Sequence, residues 1–280
     1  MTTVTNEDAE RIRERARFIR EETIRLISIA KVGHYASAFS CAELLAALYY
    51  DVLRLRPQEP GWPDRDRFLF GKGHAAVGWY PILADLGYFP KEELDGYTRL
   101  GSPFGDHPDM RRVVGCDFSS GSLGHALSTG LGMAIAGKMR HRDYRVFVML
   151  GDGELHEGQI WEAAMAAGHR SASNLIAIVD RNEHCLDGRV DDIVGLEPLA
   201  ARWEAFGWSV SEVDGHDPSA VLEALRGIAD DEERTRPAVL IAHTVKGKGV
   251  GYMESEIGWH LGYLVEPDEQ RALAEVRGAA

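Results

Sequence analysis

An aspartate between two glycines, Gly151-Asp152-Gly153, closes the apolar run 146–150, and Asn182 stands just past a second such run, 174–180. If both runs are strands and the chain between them is a helix, the 30-residue separation is one βαβ unit. A right-handed crossover then sets one carboxylate and one amide oxygen at the same edge of neighbouring parallel strands. Ligand crevices of open α/β sheets form at that edge. An oxygen-only pair suits a hard cation, Mg²⁺ or Ca²⁺, and Mg²⁺ completes its octahedron with waters and substrate phosphates. The pair therefore predicts a diphosphate as the third party. Gly-Asp-Gly alone reads as a turn; the second motif at this distance makes it a candidate site.

Histidines supply a second kind of chemistry. His34, His74, His107, His125 and His260 each sit beside a glycine, a proline or a loop, so loops at one sheet edge can gather them. Imidazoles beside a cation site suit proton transfer and hydroxyl recognition in a polyol pocket. The segment 243–251, His-Thr-Val-Lys-Gly-Lys-Gly-Val-Gly, leaves a strand for a basic loop. It reads either as a surface loop or as an anion-facing lid in which Lys246 approaches a phosphate.

The elements that must position these residues follow from periodicity. Residues 6–30 carry Ile12, Ala16, Ile19, Thr23, Leu26 and Ile27 as one helical stripe. Residues 40–50 predict a second helix with a capping box of Ser40 and Glu43, and the Pro, Gly and Trp cluster at 57–63 predicts a loop. A short buried strand at 67–70 leads through Gly71-Lys72-Gly73-His74 into a helix at 75–86, and 101–115 is a long polar loop holding His107. The small residues of 121–137 predict a helix able to pack closely on a sheet or admit a ligand at its N-terminus. Strands at 146–150, 174–180, 208–213 and 238–242 alternate with helices at 157–170, 197–206 and 218–229, a βαβα order that means a parallel sheet.

Composition excludes several functions. With 280 residues and 45% apolar content the chain can bury a large core, while its net charge of −13 argues against nucleic-acid or anionic-membrane binding. Three well-separated cysteines, Cys41, Cys116 and Cys185, suit a reducing compartment better than a disulfide framework. No apolar leader or membrane-length apolar run is present, so a cytoplasmic protein is expected.

The motifs GDGELHEG and VDRN, with the flanking runs IRLISIAKVGH, KGHAAVGWY, HPDM, GSLGHALSTGLGMA, EPLAARWEAFGW and HTVKGKGVGYME, resemble the N-terminal half of transketolase. More narrowly they resemble the N-terminal subunit of split, two-gene transketolases, in order from Ile12 to His260. The resemblance implies one thiamine diphosphate-binding domain over 1–280, an α/β three-layer sandwich with a mainly parallel sheet. It implies Mg²⁺, with Ca²⁺ as the alternative, held by Asp152, Asn182 and the His184 carbonyl. Cofactor-binding positions carried over are His74, Gly121, Ser122, Leu123, Gly151, Asp152, Gly153, Glu154, Asn182, His184, Leu186, Lys246 and His260, with Leu186 against the cofactor rings. His34, His74, His107 and His260 would face the donor sugar, and Glu157 would join a carboxylate relay between paired cofactor sites.

The implied activity is transfer of a two-carbon ketol unit from a ketose or ketose phosphate to an aldose. The family's cofactor-activating glutamate lies in a pyrimidine-binding domain, which is expected here, with the C-terminal domain, on a partner chain. A heterotetramer with two copies of each chain, active only when assembled, is the expectation. Where the family reads GHPGGSLS this chain has Gly33-His34-Tyr35-Ala36-Ser37-Ala38-Phe39-Ser40, which is expected to bring bulk near the substrate channel. His125-Ala126 replaces Gln-Gly and His156 replaces Gln, so a specialised biosynthetic donor or acceptor is an open alternative. So are the α subunit of a thiamine-dependent 2-oxoacid dehydrogenase and a non-catalytic paralogue. A Rossmann nucleotide binder would need a Gly-x-Gly-x-x-Gly turn after the first strand, which is lacking.

Overall fold

The computed structural model describes residues 3–278. Five strands form one parallel sheet: β1 (Arg67–Phe70), β2 (Val146–Gly151), β3 (Leu175–Arg181), β4 (Ser209–Asp214) and β5 (Ala238–His243), in the order β1-β2-β3-β5-β4. The apolar runs of the central strands are buried on both sides, as a parallel sheet covered by helices requires. Side chains alternate across the strand. Phe147, Met149, Ile176, Ile178 and Leu240 therefore join one core, and Val148, Leu150, Ala177, Val179 and Ile241 the other.

The first core is closed by α1 (Asn6–Ala30), α2 (Tyr35–Ser40), α3 (Ala42–Ala47) and α4 (Ala76–Asp85), and the second by α5 (His125–Met139), α6 (Gly158–His169), the short α7 (Val190–Ile193) and α8 (Leu199–Ala205). On the first side lie also α9 (Pro218–Ala229) and α10 (Asp268–Val276), which packs on α1. The result is the expected three-layer α/β sandwich, with a sheet that is wholly parallel among the described residues. Local signals set the helix starts. Thr5 and Asp8 cap α1 reciprocally, and Asp217 accepts from Ser219 and Ala220 N–H ahead of Pro218 at the start of α9.

The helix predicted over 40–50 is a correction. Cys41 breaks it (φ −101°, ψ 14°), so α2 ends at Ser40, α3 begins at Ala42, and the last turn, Leu48–Val52, widens into a π-helix. The Ser40–Glu43 capping box does not form, because both side chains have buried tertiary partners. The Ser40 hydroxyl donates to Asp180 Oδ2 at 2.6 Å, and Glu43 takes both arms of Arg20. Other predicted elements agree within a few residues, the largest difference being α5, which starts at His125 because 121–124 is a loop with Gly124 at φ 86°. Two helices, α7 and α10, have no counterpart among the elements expected from periodicity. Among the described residues no helix is long and apolar enough to cross a membrane.

Candidate active site

The C-terminal ends of β1, β2, β3 and β5 open into a cavity of about 410 Å³, within the size range of small-molecule and cofactor sites. Its floor is the oxygen cluster anticipated from spacing. Gly151 pairs with Asp180 in the β2–β3 register, so Asp152, one residue past β2's last pair, and Asn182, two residues past β3's, both emerge at the same edge of the sheet. Asp152 Oδ1 accepts from Gly153 N at 2.8 Å, and Oδ2 accepts from Glu183 N at 2.5 Å and faces the Arg181 guanidinium at 3.4 Å. Burial, and next the charge of Asp180, push the Asp152 carboxyl up to about 7 against those donors. Such a carboxylate regains its charged form when a cation approaches.

Asp180 aims the asparagine. Its carboxylate is fully buried and accepts from the Lys72 ammonium, from Ser40 Oγ, from Thr244 Oγ1 at 2.5 Å and from Asn182 Nδ2 at 3.1 Å. Burial works against its charge, yet Lys72 and these donors hold it below the usual carboxylate range. A carboxylate only accepts, so the amide NH₂ of Asn182 must face Asp180. Its Oδ1 is thereby turned to the other side, where it accepts from His184 N at 3.2 Å. Lys246 lies over the same floor, donating to Cys185 O at 3.0 Å and His184 O at 3.5 Å, and burial followed by the charge of Lys72 brings it down to about 8.

The opposite wall holds imidazoles. His34 lies with its ring centroid 5.1 Å from His74, 5.2 Å from His260 and 6.4 Å from His107, and His74 lies 5.4 Å from His260. His74 Nε2 meets Ser37 Oγ at 3.1 Å. Burial, then Lys72 and the neighbouring rings, put His74 well below the ordinary histidine range, and burial followed by Lys246 brings His260 down to about 4. Both are neutral at pH 7. His260 Nδ1 is buried without a hydrogen-bond partner among the described residues, an orphan that a polar ligand would satisfy.

All but one of the predicted site residues line this cavity: His34, His74, His107 and His260; Gly121 and Leu123; Gly151, Asp152, Gly153, Glu154 and Glu157; Asn182, His184 and Leu186; and Lys246. Ser122 does not. It lies in a neighbouring depression with His125, which opens α5 and so stays apart from the other four histidines. Glu154 is spoken for by the backbone, accepting from Gly124 N at 2.9 Å and Gly151 N at 3.2 Å, and Gly71 leaves it room, since a Cβ there would lie 2.6 Å from its oxygens. Glu157 and Leu186 are exposed at the rim. The bulk at 35–39 goes into the core instead of the channel: Tyr35, Ala36, Ala38 and Phe39 are fully buried, and of this stretch Ser37 lines the cavity.

Sequence reasoning missed Ser37, Lys72, Asp106, Asp180 and Arg181. Two carried a signal, since Lys72 lies between glycines after a buried strand and Asp180 is a charge that directly ends an apolar run. The floor offers one carboxylate, one amide oxygen and one carbonyl oxygen, and no cluster of three or more His, Cys, Asp or Glu side chains suited to a metal occurs among the described residues. Such a set fits a hard cation whose remaining positions are filled by phosphate and water.

Comparisons with known proteins bear on this arrangement. Residues 12–278 match the family model described as transketolase, thiamine diphosphate binding domain. The chain is 41% identical to the 6-deoxy-6-sulfo-D-fructose transketolase subunit SqwG of Clostridium sp. (strain MSTE9), over 95% of this chain and 96% of that protein. It is 40% identical to a subunit of the apulose-4-phosphate transketolase of Phocaeicola vulgatus, over 92% of this chain and 90% of that protein. The solved transketolase from Leishmania mexicana superposes with a TM-score of 0.88 at 28% identity, covering 95% of this chain and 41% of that one. The chain thus spans nearly the whole of the subunit relatives and about two-fifths of the longer protein.

Proposed function

Since the chain belongs to the transketolase family, as a split-transketolase subunit built on the thiamine diphosphate binding domain, we propose that it transfers a two-carbon ketol unit from a ketose or ketose phosphate to an aldose within a complex that a partner chain completes. The observation that carries this reading is the joining, in one cavity, of a hard-cation floor to a wall of four imidazoles, of which His74 and His260 are held neutral. Asp152, Asn182 and the His184 carbonyl would hold Mg²⁺, and Lys246, Gly121, Leu123, Gly151 and Gly153 would surround the diphosphate. Thiamine diphosphate, when bound, supplies the electron sink that carbon–carbon cleavage beside a ketose carbonyl requires. The protein's own groups bind hydroxyls and move protons. His34, His74, His107 and His260 would face a donor sugar above the floor, where a neutral imidazole accepts a hydrogen bond through one ring nitrogen and donates through the other. Glu157, at the rim, is the proposed link to a second cofactor site.

Two relatives of nearly equal similarity are named for different sugars, a sulfonated deoxyfructose and apulose 4-phosphate. The donor is accordingly proposed as a class, with specialised sugars included. That both are named subunits and match over nearly their full length supports a partner bearing the pyrimidine-binding and C-terminal domains, and a heterotetramer. Three free cysteines support a cytoplasmic location.

The test is ketol transfer from xylulose 5-phosphate, and from sulfonated and branched ketoses, to an aldose acceptor. The chain is assayed alone and with its partner subunit, with and without thiamine diphosphate and Mg²⁺. Activity confined to the complete mixture, and lost in Asp152→Ala, is expected. Activity of this chain alone would overturn the partner requirement, and transfer without metal or cofactor would overturn the assignment of the floor.

A further inference from the structure

Asp106 lies under the histidine wall and was not among the residues expected there. His34 Nδ1 is 3.2 Å from Asp106 Oδ1, the Tyr97 hydroxyl donates to the same oxygen at 3.0 Å, and His107 Nδ1 lies 3.6 Å from Oδ2. The acid is itself held in place. Tyr80 OH donates to Gly105 O at 2.9 Å, Thr98 N donates to Phe104 O at 2.8 Å, and the Tyr80, Tyr97 and Phe104 side chains are buried together. A loop pinned by core aromatics therefore brings one carboxylate to two of the four site imidazoles.

The direction of the bonds follows from chemistry. An ionised carboxylate accepts only, so His34 must carry a proton on Nδ1 to meet it, and in the neutral ring Nε2 is then a bare lone pair. Tyr97, donating to the same oxygen, steadies the carboxylate. The imidazoles beside His34 are His74, His107 and His260, and the same cavity is lined by Lys72 and Lys246, by the acids Asp152, Glu154, Glu157 and Asp187, and by His156, His184 and Cys185. His34 makes no other side-chain hydrogen bond among the described residues, which leaves Nε2 for the cavity.

We propose that Asp106 is a positioning residue that holds His34 in the Nδ1–H tautomer and so presents Nε2 to the donor sugar as a hydrogen-bond and proton acceptor, with Tyr97 fixing the carboxylate. The catalytic consequence rests on the ketol-transfer reading; the tautomer does not. Outer partners that orient a functional histidine typically matter by about 10–100-fold where they have been removed from metal sites, and a loss of that order is expected here.

Two measurements separate these layers. Long-range ¹H–¹⁵N spectra of the chain labelled at histidine, with His34 assigned by its disappearance in His34→Gln, should show a protonated Nδ1 and an unprotonated Nε2 near pH 7.5. Asp106→Asn keeps an acceptor oxygen and should keep the tautomer while lowering the basicity of Nε2. Asp106→Ala should lose the tautomer preference. In the assembled complex Asp106→Ala should lower kcat/KM by about 10–100-fold, with Asp106→Asn between it and the parent, and thiamine diphosphate affinity unchanged in both. A proton on Nε2 of the parent protein, alone or as imidazolium, would overturn the proposal, as would Asp106→Ala with parental tautomer and kcat/KM. If Asp106→Ala does not fold, Asp106→Asn decides, since an unaltered His34 titration and rate in that variant would equally overturn it. A parent complex silent in ketol transfer but with the stated tautomer would strike the functional reading and leave this one standing.

Discussion

His74 and His260 owe their low proton affinity to burial beside lysines: Lys72 acts on both and Lys246 on His260. A pH dependence follows, with its sign set by comparison with the unfolded chain, where histidine titrates near 6.5. Below that pH the unfolded chain binds protons that the folded chain refuses, so stability present above about 6.5 is lost as pH falls, down to the folded value of about 4 for His260. Urea midpoints of the parent should therefore drop between pH 7.5 and 5. His260→Asn should flatten the drop, and a variant curve parallel to the parent's would refute the cause given. In the same window the His74 and His260 ring signals should not titrate between pH 8 and 5.5.

Between elements, buried polar links hold the loops that carry the site. The segment bearing His260 is tied to α2 and to the turn before it: Leu264 N donates to the Tyr35 hydroxyl at 3.1 Å and Gly262 N to Gly33 O at 3.0 Å. Tyr35→Phe leaves the Leu264 N–H buried without an acceptor, which should cost about 1–3 kcal/mol and speed hydrogen exchange at Leu264. Unchanged exchange there would show that the hydroxyl holds nothing. The loop bearing Lys246 hangs from a second link. Val245 N donates to His216 Nε2 at 2.8 Å, His216 Nδ1 meets Glu43 Oε2 at 3.1 Å, and Glu43 binds Arg20 with both oxygens. Despite burial, Arg20 and His216 hold the Glu43 carboxyl down at about 2. Removing that charge leaves Arg20 buried and uncompensated, so Glu43→Gln should destabilise the chain by about 3–5 kcal/mol in urea unfolding. A loss below about 1 kcal/mol, the range of exposed ion pairs, would mean that the pair is effectively solvated.

For the molecule as a whole, the floor of the cavity is where a carboxyl, Asp152, is buried with only partial compensation of its charge. Ligands that bind only the folded state stabilise it by mass action. At a hundredfold excess over Kd, thiamine diphosphate with Mg²⁺ should add about 2.7 kcal/mol, read as a rise of several degrees in Tm. A chelator should reverse the rise, and Asp152→Ala should abolish it. A rise that survives the chelator would place the ligand elsewhere. With a net charge of −13, the chain would have to hold an anionic cofactor through local devices, and Lys72 and Lys246 are the two lysines that line this cavity.

Much of this was legible along the chain because it depends on order and spacing. Apolar runs of strand length alternating with helical stripes specify a parallel sheet, and a sheet wound by right-handed crossovers must place Asp152 and Asn182 at one edge. Four of five histidines flagged by their loop contexts do converge, and the family was recognisable from motifs spread over the whole length. What sequence order could not convey were the contacts between residues far apart in it. Ser40 looked like a helix cap until Asp180, 140 positions on, took its hydroxyl. Tyr35 and Phe39 looked like bulk in the channel until packing turned them inward. Asp106 became a partner of His34 across 72 residues through two aromatic side chains that pin its loop. Periodicity reports which face of an element is apolar; which polar side chain meets which depends on how the layers close, and three-dimensional packing alone sets that.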